Sequence, residues 1–243
     1  MGAWLSDWPP PPPDLGLGAG EVQVWRAALT AVASVRARLR ATLAEDERAR
    51  ADRFVFDIHR DRFVVARAFL RAVLGRLLGV PPEEVRLSYE PAGKPRTEGL
   101  RFNLSHSGDL ALLAVARDRE IGVDVEELRQ VTDASLLAER FFAPGETAVL
   151  RTLDRAERDA AFLRCWTLKE AYVKAVGAGL SIPLDRFEVG YVPAVPEPAL
   201  HFLDEGAEAA RWVLRTLDPG PGYVGALAAE GSGFRLTRYE WSA

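Results

Sequence analysis

Apolar residues recur along this chain in two rhythms. Between His59 and Leu78 the residues Phe63, Ala66, Phe69, Leu70, Val73 and Leu77 fall at three- and four-residue spacings. That spacing predicts one buried face of a helix, which Gly79 and Pro81 stop. Glu45–Phe56 ahead of it has helical spacing too. Short apolar or alternating runs predict strands at Val22–Trp25, Val85–Tyr89, Arg101–Leu104, Ala111–Ala116 and Ile121–Glu126. The order then repeats loosely. Helices are expected over Ala134–Phe141 and Ala156–Val176, ended by Gly177-Ala-Gly179, with strands at Phe187–Tyr191, Arg211–Leu217, Tyr223–Ala229 and Phe234–Trp241.

This pattern predicts an α+β, pseudo-duplicated, two-halved fold, each half an antiparallel sheet packed with helices. Residues 1–20, with Trp4, Trp8 and the prolines Pro9–Pro13, read as an extended polyproline arm. The N-terminal half then covers 21–118 and the C-terminal half 119–243, with a ligand cleft expected at their interface.

Composition narrows the class. With 48% hydrophobic and 27% charged residues the chain reads as soluble and globular. No apolar run approaches the roughly 18–20 residues of a membrane helix, so no membrane partner is expected. The start has no basic-then-apolar leader. The single cysteine, Cys165, excludes an internal disulfide, sits in a helix beside Trp166 as a packing residue, and fits a cytoplasmic location. A net charge of −4 speaks against nucleic-acid binding. Locally the balance reverses: eight arginines between Arg48 and Arg76 face only Asp52, Asp57 and Asp61. Most of these belong to solvated helix faces, yet such a stretch could also hold a small polyanion.

Of 31 lysine and arginine residues only three are lysine: Lys94, Lys169 and Lys174. A chain that uses arginine for ordinary surface charge keeps lysine where a compact point charge is wanted. Near them, Ile121-Gly-Val-Asp124-Val-Glu126 read as a strand puts Asp124 and Glu126 on one face, about 6.6 Å apart at Cα. Two carboxylates so placed, with no histidine or cysteine beside them, suit a hard cation such as Mg²⁺. Taken alone, D-x-E is more simply the polar face of a strand. On the following helix Trp166, Glu170 and Lys174 lie at i, i+4 and i+8, one line along one face. Glu170 there completes the metal set and Lys174 can meet a phosphate, though the pair also reads as an ordinary helix ion pair. The segment Asn103-Leu-Ser105-His106-Ser107 offers a hydroxyl, an imidazole and turn amides to an anion. Ser105 as a nucleophile with His106 as its base is disfavoured, because adjacent residues of an extended segment point to opposite faces. His59 and His201 lack motif context.

In order, Gly93-Lys94-Pro95, Phe102-Asn-Leu-Ser-His-Ser107, Gly122-Val-Asp-Val-Glu126 and Trp166-Thr-Leu-Lys-Glu-Ala-Tyr-Val-Lys174, followed by Gly179-Leu-Ser, closely resemble the 4′-phosphopantetheinyl transferases. The match, over about residues 44–230, is to the two-halved, surfactin-synthetase-activating type. The resemblance implies Mg²⁺-dependent transfer of 4′-phosphopantetheine from coenzyme A to a serine of an apo acyl, peptidyl or polyketide carrier protein, releasing adenosine 3′,5′-bisphosphate. It further implies Asp124, Glu126 and Glu170 at the metal, Glu170 as proton acceptor and Lys174 at the phosphates. Lys94 and Pro95 match the loop along adenine and ribose, Ser105 and His106 phosphate contacts, and Arg62 and Arg50 basic residues at the 3′-phosphate. The alternatives are a coenzyme A or carrier-binding module without chemistry, and a metal-dependent phosphohydrolase. The latter leaves the Gly-Lys-Pro and Asn-Leu-Ser-His-Ser segments unexplained. We further expect a monomer, a carrier surface at Phe141 and Phe142, and a Lys169 tolerant of arginine at a packing position or peripheral ion pair.

Overall fold

The structure, a computed structural model, describes residues 8–91, 93–177, 182–190, 198–203 and 209–243. Trp4, Gly179 and Tyr191 of the sequence reading lie outside them. In chain order the elements begin with β1 (Glu21–Ala28), α1 (Ala33–Ala41), α2 (Glu45–Ala51), α3 (Asp57–Leu78), β2 (Ser88–Tyr89), β3 (Pro95–Arg96), β4 (Arg101–Ser107) and β5 (Leu110–Ala116). They continue with β6 (Ile121–Glu127), α4 (Ala134–Phe141), α5 (Pro144–Thr152), α6 (Arg155–Val176), β7 (Phe187–Glu188), β8 (His201–Phe202), β9 (Trp212–Leu217), β10 (Tyr223–Glu230) and β11 (Arg235–Trp241).

Helix α3 follows its apolar stripe: Ala66, Phe69, Leu70, Val73 and Leu77 are buried, and Gly79 ends it at φ +73°, a left-handed cap. Helix α2 stops at Ala51, short of the Phe56 expected from spacing. The chain there tightens into i→i+3 turns (Arg53 N–H to Arg50, Phe54 N–H to Ala51), and Phe56 is already extended as the cap of α3. Helices α1 and α5 lie where the apolar pattern predicts none. Helix α1 buries no residue, so it has no stripe to read.

Two sheets form the centre. One has the order β11-β1-β5-β4, the other β6-β10-β9. All pairs are antiparallel except β1 with β11, which run parallel. The last strand, counted with the C-terminal half in the sequence, therefore completes the sheet of the first. Helix α3 packs one core with β1, β4 and β5, and α6, which also crosses β6, packs another with β9 and β10. A third core lies where the sheets meet, built from Val22, Val24, Leu112, Val123, Leu217 and Leu227. Trp8 of the arm enters it, 3% exposed, and donates its indole N–H to Asp218 O at 2.8 Å. The arm is held further along, with Pro9 O accepting from Glu240 N–H at 2.9 Å and Pro13 O from Arg76 at 3.0 Å.

Candidate active site

Strands β4 and β6 lie side by side at the meeting of the two sheets without sharing a backbone ladder. Side chains join them instead. Asn103 Oδ1 accepts Val123 N–H at 2.9 Å, Ser105 donates to Asp124 Oδ1 at 2.7 Å, and Ser107 donates to Glu126 Oε2 at 2.8 Å. Residues 103, 105 and 107 share one face of β4, as alternation requires. This corrects two expectations. The Asn-Leu-Ser-His-Ser segment is strand, not a turn, and Ser105, 6% exposed, is turned inward onto Asp124, where its hydroxyl orients a carboxylate. His106 points the other way and is exposed.

Helix α6 crosses β6 at unusually short range. A Cβ on Gly122 would stand 2.1 Å from Ala171 O and 2.3 Å from Ala175 N, so only glycine permits the approach. The approach sets the half-exposed line Trp166, Glu170, Lys174 over Asp124 and Glu126. Lys174 Nζ reaches Asp124 Oδ1 at 2.6 Å and Ser105 Oγ at 3.0 Å.

The electrostatics are those of crowded carboxylates. Burial pushes the Glu170 carboxyl above the ordinary glutamate range; Lys174 pulls it back, and Asp124 and Glu126 push it further up. Glu126 is raised as well, first by burial and then by Asp124, against the Ser107 hydrogen bond, Arg129 and Lys174. Asp124 Oδ2 is buried with no partner among the described residues. A buried carboxylate oxygen without a donor is costly. An oxygen-preferring cation would satisfy it and relieve the mutual repulsion, so the donor set fits Mg²⁺. Among the described residues, however, no three such ligands are already gathered into a cage.

The remaining residues separate into two groups. Although His106 is open to solvent, the protein around its ring partly desolvates the imidazole and lowers its pKa, and Lys174 and then Arg62, held at 2.7 Å by Asp109 on the β4–β5 turn, lower it further. Lys174, Arg62 and His106 are thus electrostatic neighbours, and Lys174 joins this basic group to Asp124. Arg50, by contrast, stacks on Phe63 at 5.2 Å from the ring centroid. Lys94 corrects the reading of it as a ligand contact: it is 8% exposed and gives its protons to Glu120 Oε2 (3.1 Å), Ile121 O (3.3 Å) and Ala175 O (2.8 Å). With three donors used, the ammonium clamps the end of α6 to the start of β6, and burial lowers its pKa. Pro95 is half-buried in β3, opposite the exposed Tyr89.

Phe142 also departs from expectation. It is 3% exposed and stacks on Phe162 at 4.9 Å, so it is core and not a docking surface. Phe141 is half-buried and meets the edge of Trp166 at 6.2 Å. With Trp166, Val131, Leu137, Arg129 and Glu126 it lines a cavity of about 320 Å³ adjoining the carboxylates. Lys169 is fully buried, paired with Glu146 at 2.7 Å and with Leu184 O at 2.7 Å. Its ammonium lies over the Phe187 ring at 4.3 Å, so the pair is central, not peripheral. That enclosure argues against the arginine tolerance expected from the sequence.

Residues 120–228 match the family profile described as the 4′-phosphopantetheinyl transferase superfamily, and residues 30–118 that described as 4′-phosphopantetheinyl transferase, N-terminal. The 4′-phosphopantetheinyl transferase HetI of Nostoc sp. strain PCC 7120 is 43% identical, over 94% of this chain and 95% of that protein. A putative 4′-phosphopantetheinyl transferase of Synechocystis sp. strain PCC 6803 is 32% identical, over 72% of this chain and 71% of its own length. The 4′-phosphopantetheinyl transferase Sfp of Bacillus subtilis strain 168 is 30% identical, over 63% of this chain and 68% of its own.

Proposed function

The chain belongs to the 4′-phosphopantetheinyl transferases, and we propose that it moves the 4′-phosphopantetheine of coenzyme A onto a serine of an apo acyl, peptidyl or polyketide carrier protein. The observation that carries this reading is the Lys174–Asp124 contact of 2.6 Å. It sets a cation and the orphaned Asp124 Oδ2 against Glu170 and Glu126, the grouping a pyrophosphate donor needs.

Asp124, Glu126 and Glu170 would hold one Mg²⁺. When bound, the ion neutralises charge on the donor's pyrophosphate. Arg62, His106 and Lys174 bind the phosphates, with Arg62 at the 3′-phosphate, and Pro95 and its loop lie along the adenosine. Arg50 supplies peripheral positive charge. Glu170 accepts the proton of the carrier serine as its oxygen bonds to phosphorus. The bond from phosphorus to the bridging oxygen breaks, and adenosine 3′,5′-bisphosphate leaves. Burial supports this role of Glu170, since a carboxylate raised above its ordinary range is a better proton acceptor near neutral pH. Lys174 holds its charge where negative charge develops.

The carrier docks beside Phe141, where an apolar cavity opens next to Glu126. The enzyme works as a monomer in the cytoplasm. The lone cysteine, buried and reduced, fits that compartment. Intact-mass spectrometry of several apo carriers with coenzyme A and Mg²⁺ tests the reading. At least one should gain a single phosphopantetheine group, and no gain with fatty-acid, polyketide and peptide-synthetase carriers alike would refute it.

A further inference from the structure

The hydroxyl of Ser107 serves two consecutive residues of β6. It donates to Glu126 Oε2 at 2.8 Å and accepts Glu127 N–H at 3.1 Å. A serine hydroxyl has one proton to give. With a lone pair taken by the Glu127 amide, that proton is aimed at Glu126 and the hydroxyl cannot turn freely. Because β4 and β6 share no backbone ladder, the placement of β6 against β4 at this end rests on such side-chain bridges, while its register is set by β10 on the other side.

Glu126 needs that constraint. It is half-buried, repelled by Asp124, and attracted by Arg129 as well as Lys174. Lys174 itself is committed to Asp124 and Ser105. A glutamate side chain left free would lose several rotatable bonds on ligation, and a partner that fixes them beforehand makes ligation easier. We infer that Ser107 is a positioning residue that holds Glu126 in its ligating rotamer through the hydroxyl bridge from β4. The inference rests on the proposed role of Glu126 at the divalent cation.

The test is a Mn²⁺ titration of the coenzyme A-bound protein, read by the electron paramagnetic resonance of free Mn²⁺. It is run on the wild type, Ser107→Ala, Ser107→Thr and Glu126→Gln, with turnover measured against Mg²⁺ in parallel. Ser107→Ala should raise the Mn²⁺ dissociation constant about tenfold. It should raise the Mg²⁺ needed for half-maximal turnover by a similar factor, leaving kcat at saturating Mg²⁺ near wild type. Ser107→Thr, which keeps the hydroxyl, should restore both. If alanine proves too unstable to purify, Ser107→Cys, a weak donor, carries the same expectation. Unchanged Mn²⁺ affinity in Ser107→Ala beside a clear loss in Glu126→Gln would overturn the inference and leave the metal reading standing. Unchanged affinity in Glu126→Gln would overturn the metal reading, and the inference with it.

Discussion

The ammonium of Lys174 lies 2.6 Å from Oδ1 of Asp124, so α6 and β6 meet at a charge pair in the centre of the site. Lys174→Ala should cut turnover by about two orders of magnitude or more, the scale of losing a charge aimed at a transition state. Lys174→Arg should recover only part, because a planar guanidinium cannot take up a point-charge position between Asp124 and Ser105. Steady-state kinetics at saturating coenzyme A checks this; full activity of the alanine variant would remove Lys174 from the mechanism.

Glu170 leads to a pH prediction. Its carboxyl is raised, by burial first, so it binds a proton more tightly in the folded than in the unfolded chain. A group raised in this way contributes stability that is fully present below the ordinary glutamate value of about 4.3. That contribution is lost as pH rises through the raised value. In chelator at neutral pH, ionised Glu170 therefore works against folding. Glu170→Gln should melt above the wild type there, with the difference closing as pH falls through the raised value toward about 4.3. Added Mg²⁺ should stabilise the wild type much more than the variant. Melting curves in chelator with the opposite order would contradict the account.

Lys169 and Glu146 make a buried pair at 2.7 Å with the lysine fully enclosed. Lys169→Met leaves the buried Glu146 carboxyl with its Ala143 and Val189 amide donors but without its cation, and should cost about 3–5 kcal/mol of stability. Lys169→Arg should be destabilising as well, because the ammonium is enclosed by Glu146, two backbone carbonyls and the Phe142 and Phe187 rings, which a larger guanidinium must push apart. Denaturant melts distinguish this from a catalytic role, which would leave the midpoint in place.

Trp8 fastens the polyproline arm to the core between the sheets, with the Arg26 guanidinium 5.5 Å from its ring centroid. Trp8→Ala should cost about 3–5 kcal/mol, the usual range for truncating a buried aromatic. Replacing the exposed Pro10 by alanine should change stability little. Equal effects of the two substitutions on thermal melting would mean that the arm is not anchored through Trp8.

The site was legible where chemistry follows local period. Alternation placed Asp124 and Glu126 together, and the helical line Trp166, Glu170, Lys174 emerged half-exposed over them. What the sequence left open was non-local. Nothing near Lys94 or Lys169 in the chain announces Glu120, Ala175 O or Glu146, which turn both lysines into structural cations. Adjacent phenylalanines divide between surface and core according to Phe162, twenty residues on. The inward turn of Ser105 and Ser107 depends on a strand that joins β4 by side chains alone. The parallel pairing of β11 with β1 links the two ends of the chain, and no local pattern encodes it.

The most direct test of the carboxylate site is Asp124→Ala, assayed by intact-mass spectrometry of an apo carrier that the wild type modifies, with coenzyme A and Mg²⁺. Asp124 brings together Ser105, Lys174 and the orphaned oxygen, so phosphopantetheine transfer should vanish. Circular dichroism should still show a folded protein, because the substitution also removes one of three mutually repelling carboxylates. A folded Asp124→Ala variant that converts the carrier at the wild-type rate would contradict the account.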